Sequence, residues 1–162
     1  LADQYRSGEY EPLSTEQAIT YCAFLKEWFE QHNIEVIRTG LQSTEELDSG
    51  NSLVAGPYEP AMGELVVNEQ YKQRIERCIN EHIESFINKE LSQWNIWGQV
   101  NTYIALNISI FYPRSLTSKV RGLKNRNMLY FQEKYPHLNI NWYEDNTRNT
   151  VRCCIDGLQY VL

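Results

Sequence analysis

The chain has 162 residues, of which 42% are hydrophobic and 12% aromatic, so it carries enough apolar surface to form a folded core. Its longest apolar stretch, Tyr103 to Tyr112, is far shorter than the roughly 20 residues of a membrane-spanning helix. The first residues lack the pattern of a signal peptide. We therefore expect a cytoplasmic protein with no membrane partner.

The net charge of −6 conceals an asymmetry between the two halves. Residues 1–90 contain seventeen acidic and seven basic side chains, a net charge of −10, whereas residues 91–162 contain four and eight, a net charge of +4. Such a split is typical of two modules with different surroundings.

The cysteines and histidines show no chemical motif. Cys22, Cys78, Cys153 and Cys154 have the spacing of neither a disulfide framework nor a metal site. His82 lies on the apolar face of a predicted helix and is expected to be a core histidine. We expect reduced thiols, two or three of them buried, and neither a catalytic residue nor a metal or cofactor site complete in this chain.

The first half is predicted to be a helix followed by a strand and a long loop. Ser14 and Gln17 have capping-box spacing, which predicts a helix over Thr15–His32. The β-branched run Ile34–Thr39 predicts a strand directly after it, and Gly40–Gly63 predicts irregular structure. The residues expected on the buried helix face are Ala18, Cys22, Leu25 and Phe29, flanked by Tyr21 and Trp28.

The second half is predicted to be α+β. Apolar spacing predicts a long helix over Glu64–Lys89. Alternation predicts a strand over Tyr103–Phe111, and two helices flank Gly122-Leu123-Lys124-Asn125, over Ser115–Val120 and Lys124–Tyr135. Further strands are predicted over 138–142, 151–155 and 158–162. Trp94 and Trp97 are expected either to cover the sheet or to be exposed for stacking.

Three separated runs in the first 65 residues resemble a known family. They are Tyr5-Arg6-Ser7-Gly8-Glu9-Tyr10-Glu11-Pro12-Leu13, Val36-Ile37-Arg38-Thr39-Gly40-Leu41-Gln42 and Gly56-Pro57-Tyr58-Glu59-Pro60-Ala61-Met62-Gly63-Glu64-Leu65. Together they resemble the C-terminal region of radical SAM proteins of the branch that includes Elongator-like and oxygen-independent coproporphyrinogen-oxidase-like iron–sulfur oxidoreductases. The chain departs from that pattern at Ser43, where proline is expected, and at Glu59, where histidine is expected.

The resemblance implies that the chain is a piece of a larger enzyme. Residues 1–63 would be the last helix and strand of a partial α/β barrel with a long loop, and residues 64–162 a small accessory domain. The cysteines for a 4Fe–4S cluster that cleaves S-adenosylmethionine would belong to the parent protein, so this chain alone is expected to be inactive. The remainder of the parent is the expected partner, and the orphaned barrel edge could instead pair in a homodimer.

Arg38 and Gly40 are the candidate cofactor-binding residues of the first half. They follow the predicted strand, and ligands of parallel α/β proteins lie beyond the C-terminal ends of strands. A guanidinium there can hold a carboxylate, and the alternative is a structural salt bridge to a nearby acid. Residues 56–64 are expected to form a rigid turn, with substrate contact as the alternative.

A basic stretch around Gly122 is the other candidate site. Residues 114–126 contain five positive charges and no acid. The order strand, helix, glycine-led loop, helix resembles the KH-type RNA-binding core, with Asn125 in place of the second glycine of G-x-x-G. The candidate RNA-binding residues are Lys119, Arg121, Gly122, Lys124 and Arg126. The alternative is a solvated basic face, or one that docks on the acidic half.

Overall fold

A computed structural model describes residues 1–50, 52–94 and 106–162, without the side chains of 90–94. The predicted α+β class is confirmed. The chain divides into two compact units, Leu1–Gln70 and Tyr71–Leu162. The predicted division between residues 63 and 64 stays a prediction.

Six helices and four strands make up the described part of the chain. The helices are α1 Ala2–Ser7, α2 Thr15–Gln31, α3 Glu45–Asp48, α4 Met62–Trp94, α5 Thr117–Arg121 and α6 Arg126–Lys134. The strands are β1 Asn107–Tyr112, β2 Asn139–Glu144, β3 Arg152–Ile155 and β4 Leu158–Val161. Single 3-10 turns, Arg114–Leu116 and Leu123–Asn125, precede α5 and α6.

The capping box predicted at the start of α2 is present. Ser14 Oγ accepts from the backbone N–H of Gln17 at 3.2 Å, and Gln17 Oε1 accepts from that of Ser14 at 2.9 Å. These two bonds satisfy donors that a helix start leaves unpaired. Helix α2 therefore begins one residue after Ser14, as the sequence predicts.

The core of the first unit is small. It consists of Ile19 and Ala23 from α2 and Met62 and Val66 from α4. Leu25, which we expected to be buried with Phe29, is exposed, and Phe29 is only half-buried. That part of the predicted buried face is wrong because α2 packs on α4 through Ile19 and Ala23 instead.

The second unit is built on a mixed sheet with strand order β2-β1-β3-β4. β1 pairs with β2 in parallel and with β3 antiparallel, and β3 and β4 form a hairpin. The predicted order of strand, helix, helix, strand, strand is present, with β4 completing the hairpin that Asp156-Gly157 predicts. A parallel pair needs a crossover, and α5 and α6 supply it.

One face of this sheet carries the core of the second unit. Ile108, Ile110 and Tyr112 alternate with half-buried neighbours along β1. They pack with residues of three helices: Ile75, Cys78 and Ile79 of α4, Val120 of α5 and Phe131 of α6. The period-two pattern read from the sequence thus sets which side chains of β1 are buried.

Residues 34–39, predicted as a strand, do not form one. Every strand pairing in the described part of the chain lies within residues 107–161, so this segment has no partner within the first unit. A strand needs a neighbour to bond its backbone groups. β-propensity alone cannot supply that neighbour.

The loop over 40–63 contains an unpredicted turn of helix. Thr44 Oγ1 caps α3 by accepting from the N–H of Leu47 at 3.3 Å. At the other end of α3, hydrogen bonds from Ser43 and then Tyr58 lower the pKa of Asp48, and the bond to Asp48 raises the pKa of Tyr58. These contacts join the two ends of the loop.

Within residues 1–50, 52–94 and 106–162, no helix is long and apolar enough to cross a membrane. The predicted first residues of the strand over Tyr103–Phe111, residues 103–105, and Trp97 lie outside the described residues. The side chain of Trp94 does as well.

Candidate functional site

Helix α2 exposes an apolar stripe on the side away from its small core. Tyr21, Phe24, Leu25 and Trp28 follow the i, i+3, i+4, i+7 spacing of one helix face, and all four are exposed, Phe24 by 63%. Continuing along the chain, Ile37 is 91% exposed and Leu41 is also exposed. Exposed apolar side chains along one helix face are typical of an interaction site. We call Tyr21, Phe24, Leu25 and Trp28 the α2 face.

Arg38 and Gly40, the predicted cofactor-binding residues, are placed differently from each other. Arg38 is exposed, and its Nη1 donates to Gln42 Oε1 at 3.2 Å rather than to an acid. Gly40 has φ +83°, and a Cβ there would lie 2.8 Å from Met62 Cβ. Since residues 34–39 form no strand, the predicted position at a strand end is wrong, and Gly40 serves the packing of the α4 start.

The two positions that depart from the family pattern both make local hydrogen bonds. Ser43 donates to Asp48. Glu59 lies just before α4, where its Oε1 accepts from the N–H of Ala61 at 3.4 Å and its carbonyl from that of Met62 at 3.0 Å. A carboxylate beside a helix start is favourable, so Glu59 stabilises the start of α4.

The loop Gly122–Asn125 is a tight turn in which three residues have positive φ. Gly122 has φ +77° and ψ 159°, a combination essentially restricted to glycine. Asn125 has φ +61°, consistent with its expected tolerance of that region, and Lys124, with φ +53°, shares it. A Cβ on Gly122 would lie 3.0 Å from the backbone N and side chain of Asn127. Asn127 is buried and donates from Nδ2 to the carbonyl of Val120 at 3.0 Å.

The predicted RNA-binding cations differ in exposure. Lys119, Lys124 and Arg126 are exposed. Arg121 is half-buried, and its Nε donates to Met128 Sδ at 3.0 Å. Lys124 therefore lies in the loop, and the other three cations flank it. Of these, Arg121 contacts Met128 of α6.

A groove of about 360 Å³ lies between α6 and β2. Its lining residues include Met128, Phe131, Tyr135, Ile140 and Trp142. Since Met128 also contacts Arg121, one end of the groove adjoins the basic loop.

The helix that forms this groove is tied to α4 by one carboxylate. Glu76 accepts from Tyr130 at 2.8 Å, from Tyr135 at 3.1 Å and from Lys134. Burial opposes the charge of Glu76, but the hydrogen bonds from Lys134 and the two tyrosines outweigh it and lower the pKa of Glu76. Burial, then the nearby Glu76 charge, raises the pKa of Tyr135 to about 12. These groups position α6 and are not activated for proton transfer.

Two of the four thiols are buried, and His82 is half-buried. All four cysteines are free, with Cys78 and Cys153 buried. His82 Nδ1 lies 3.0 Å from the hydroxyl of Tyr160. Within the residues that the structure describes, no group of three or more Cys, His, Asp and Glu could hold a metal ion.

The outer face of the sheet carries a row of π-systems that the sequence did not reveal. Tyr143 of β2 and Arg152 of β3 are the register partners of Phe111 on β1. The rings of Phe111 and Tyr143 are stacked, with centroids 5.3 Å apart and planes at 23°, and Arg152 Cζ lies 5.3 Å from the Phe111 centroid. An ion pair with Asp145 also holds Arg152. Finding this row requires the strand register, which the sequence pattern does not give.

Comparison with known proteins gives one family match. Residues 1–73 match the family model described as the Radical_SAM C-terminal domain, which includes α1, α2, the α2 face and the first turns of α4. Neither a curated protein nor a solved structure matches the chain. The match covers residues 1–73, fewer than half of the chain, and shows that this part is similar to the C-terminal domain of radical SAM proteins.

Proposed function

We propose that this chain is the C-terminal region of a radical SAM iron–sulfur enzyme of the Elongator-like or coproporphyrinogen-oxidase-like branch, and that it shapes or presents substrate without being active alone. The α2 face carries the proposal. It is an exposed apolar helix face beside an unpaired β-prone segment, within the residues that match the family. Both features are expected where the last elements of a barrel are separated from the rest of it.

The partner proposed for the α2 face is the remainder of the radical SAM protein. Helices that cover a parallel sheet bury an apolar stripe on it, and residues 34–39 have the β-branched composition of a buried strand. A second copy of this chain would have to provide the same two features through self-complementary contacts. A homodimer remains the alternative partner, and the test of the α2 face separates the two.

The family implies a 4Fe–4S cluster and S-adenosylmethionine in the parent enzyme, where the cluster would supply the reducing electron for radical chemistry. The residues of this chain do not fit the cluster. It has no C-x-x-x-C-x-x-C motif, and Cys78 and Cys153 are buried in the core of the second unit. The cluster ligands are therefore proposed to lie in the rest of the protein.

We expect the isolated chain, incubated anaerobically with iron, sulfide and reductant, to retain no cluster after desalting and to produce no 5′-deoxyadenosine from S-adenosylmethionine. The intact protein treated in the same way is the positive control. A cluster absorption band that stays with the isolated chain, together with 5′-deoxyadenosine, would contradict the proposal.

RNA binding is the second candidate function, and the Gly122–Asn125 loop favours it. A loop held by Gly122 next to exposed cations resembles a phosphate-backbone contact, and the groove between α6 and β2 begins beside it. RNA is a polyanion, and residues 106–162 carry eight basic and four acidic side chains.

Alanine substitutions rank the four cations. In a tRNA titration at two salt concentrations, we expect Lys124→Ala and Arg126→Ala each to reduce the salt slope by about 1. Arg121→Ala should change it least, because Arg121 is half-buried whereas Lys124 and Arg126 are exposed. Arg6→Ala, which removes an exposed cation from the acidic half, is the control. Binding that is absent, or unchanged by alanine at each of Lys119, Arg121, Lys124 and Arg126, removes RNA contact at this loop.

A further inference from the structure

We propose that the outer face of the sheet is a stacking platform for an unpaired base of single-stranded RNA, with Tyr143 as the ring on which the base stacks. The inference deepens the second candidate function, RNA binding, and uses no residue of the Gly122–Asn125 loop. It rests on the arrangement of Tyr143, Phe111 and Arg152 across three neighbouring strands.

Exposure to solvent increases along the row from Arg152 to Phe111 to Tyr143. Arg152 is buried, Phe111 is half-buried, and Tyr143 is 46% exposed. Arg152 lies against the ring of Phe111, and Phe111 stacks on Tyr143. Since β2 is an edge strand of the sheet, Tyr143 ends the row. A planar base placed against its remaining face would extend the stack.

The support beneath Tyr143 is already fixed. Asp145 and the Phe111 ring hold the Arg152 guanidinium, and α4, α5 and α6 contribute to the core on the opposite face of the sheet. Binding a base would therefore require little ordering of the site itself, which lowers the entropic cost of binding.

The surroundings of the row favour a nucleic acid over an apolar partner. The neighbouring row on the same face is polar or small, with Asn141, Ser109 and Cys154 in register. Amide and hydroxyl groups can hydrogen-bond to base edges and to the 2′-hydroxyl that distinguishes RNA from DNA. An apolar protein partner would offer these groups no further hydrogen bonds.

Positive charge lies at the same end of the sheet. Arg114 follows the end of β1 and Arg148 lies in the loop between β2 and β3, and both are exposed. The backbone N–H of Arg114 donates to Asn146 Oδ1 at 2.9 Å, which brings the two loops together. The two guanidinium groups can contact phosphates on either side of a base that is stacked on Tyr143.

The test is an anisotropy titration of the full chain with a labelled single-stranded RNA of about 10 nucleotides. We expect Tyr143→Ala to weaken binding roughly tenfold, since each stacked base contributes that order of affinity. Tyr143→Phe keeps the ring and should bind within about twofold of the unchanged chain. Tyr143→Leu keeps an apolar side chain on the strand and should lose as much affinity as alanine.

Tyr5→Ala, which removes an exposed tyrosine of α1 outside the α2 face, is the matched control and should leave RNA binding unchanged. Thermal unfolding of each variant shows that the sheet is intact. Normal affinity in Tyr143→Ala and Tyr143→Leu overturns the platform, whether the RNA is bound elsewhere or another partner covers the face. A single-stranded DNA oligonucleotide of the same sequence is titrated in parallel. A DNA complex as tight as the RNA complex overturns the assignment to RNA.

The loop and the platform fail separately. If Lys124→Ala weakens binding while the Tyr143 variants do not, the loop stands and the platform is overturned. If only the Tyr143 variants weaken binding, the platform is supported without the loop. No measurable RNA binding overturns both, and leaves the radical SAM assignment untouched because that assignment rests on residues 1–73.

Discussion

Replacing Gly122 with alanine is expected to lower the free energy of unfolding of the second unit by about 3 kcal/mol. The backbone of Gly122 has φ +77° and ψ 159°, and an L-residue in this region costs about 1–3 kcal/mol. The new Cβ would also meet Asn127 at 3.0 Å. Shifting Asn127 weakens its buried bond to the carbonyl of Val120, which adds about 1 kcal/mol.

Gly157→Ala is the matched control for this effect. Gly157 has φ +85°, but a Cβ there would meet nothing within 4 Å, so only backbone strain of about 1 kcal/mol is expected. Urea unfolding followed by circular dichroism should give a clearly lower midpoint for Gly122→Ala than for Gly157→Ala. Equal midpoints would show that contact with Asn127 does not set the conformation of the loop.

Replacing Phe24 with glutamate is expected to leave the stability of the isolated chain almost unchanged but to lower the stability of the intact protein. In the isolated chain Phe24 is 63% exposed, so the free energy of unfolding should change by no more than about 0.5 kcal/mol. In an intact protein in which the α2 face packs as proposed, the same substitution should destabilise by about 3 kcal/mol or more, because it would remove a buried ring and bury a charge.

Trp28→Glu should also destabilise the intact protein, because Trp28 lies one turn further along the α2 face. In the isolated chain it removes the stacking of Trp28 on His32 and should therefore cost about 1 kcal/mol. Glu9→Gln, at an exposed site outside that face, is the control and should be neutral in both proteins. The measurement is the shift in unfolding midpoint in each setting. A small effect of Phe24→Glu in the intact protein would mean that the α2 face is not where the rest of the protein packs. Concentration-dependent dimerisation of the isolated chain that Phe24→Glu abolishes would favour the homodimer instead.

Local signals in the sequence predicted local structure well. The Ser14 and Gln17 capping pair gives the start of α2, and the alternation of Ile108 and Ile110 gives the buried side of β1. Each depends on residues a few positions apart, and the physical cause acts over the same distance. The turn at Asp156-Gly157 was predictable for the same reason.

Features that depend on distant contacts were not predicted. The run over 34–39 has strand composition but no partner within its unit, so its propensity is not realised. The apolar pattern of α2 indicates that a face will be buried, but not by what. Its small residues pack on α4 here, and Phe24 and Leu25 remain exposed. Whether an apolar side chain is buried is a property of the whole assembly.

The candidate sites show the same division. The Gly122–Asn125 loop was predictable because a glycine and an asparagine at positive φ are encoded locally. The row formed by Tyr143, Phe111 and Arg152 was not, since these residues are separated in the sequence and meet only through the strand register. The engagement of Arg121 with Met128 likewise depends on how α5 and α6 pack.

The central claim is that residues 1–73 are the C-terminal part of a radical SAM protein and pack on the rest of it through the α2 face. Hydroxyl-radical footprinting tests this most directly, because it reports the solvent exposure of individual aromatic side chains. In the isolated chain Phe24 and Trp28 should be readily oxidised, as their exposure indicates. In the intact protein we expect strong protection of both side chains, with Tyr143 unchanged as an internal reference. Equal oxidation of Phe24 and Trp28 in the two proteins would show that the α2 face is not buried there.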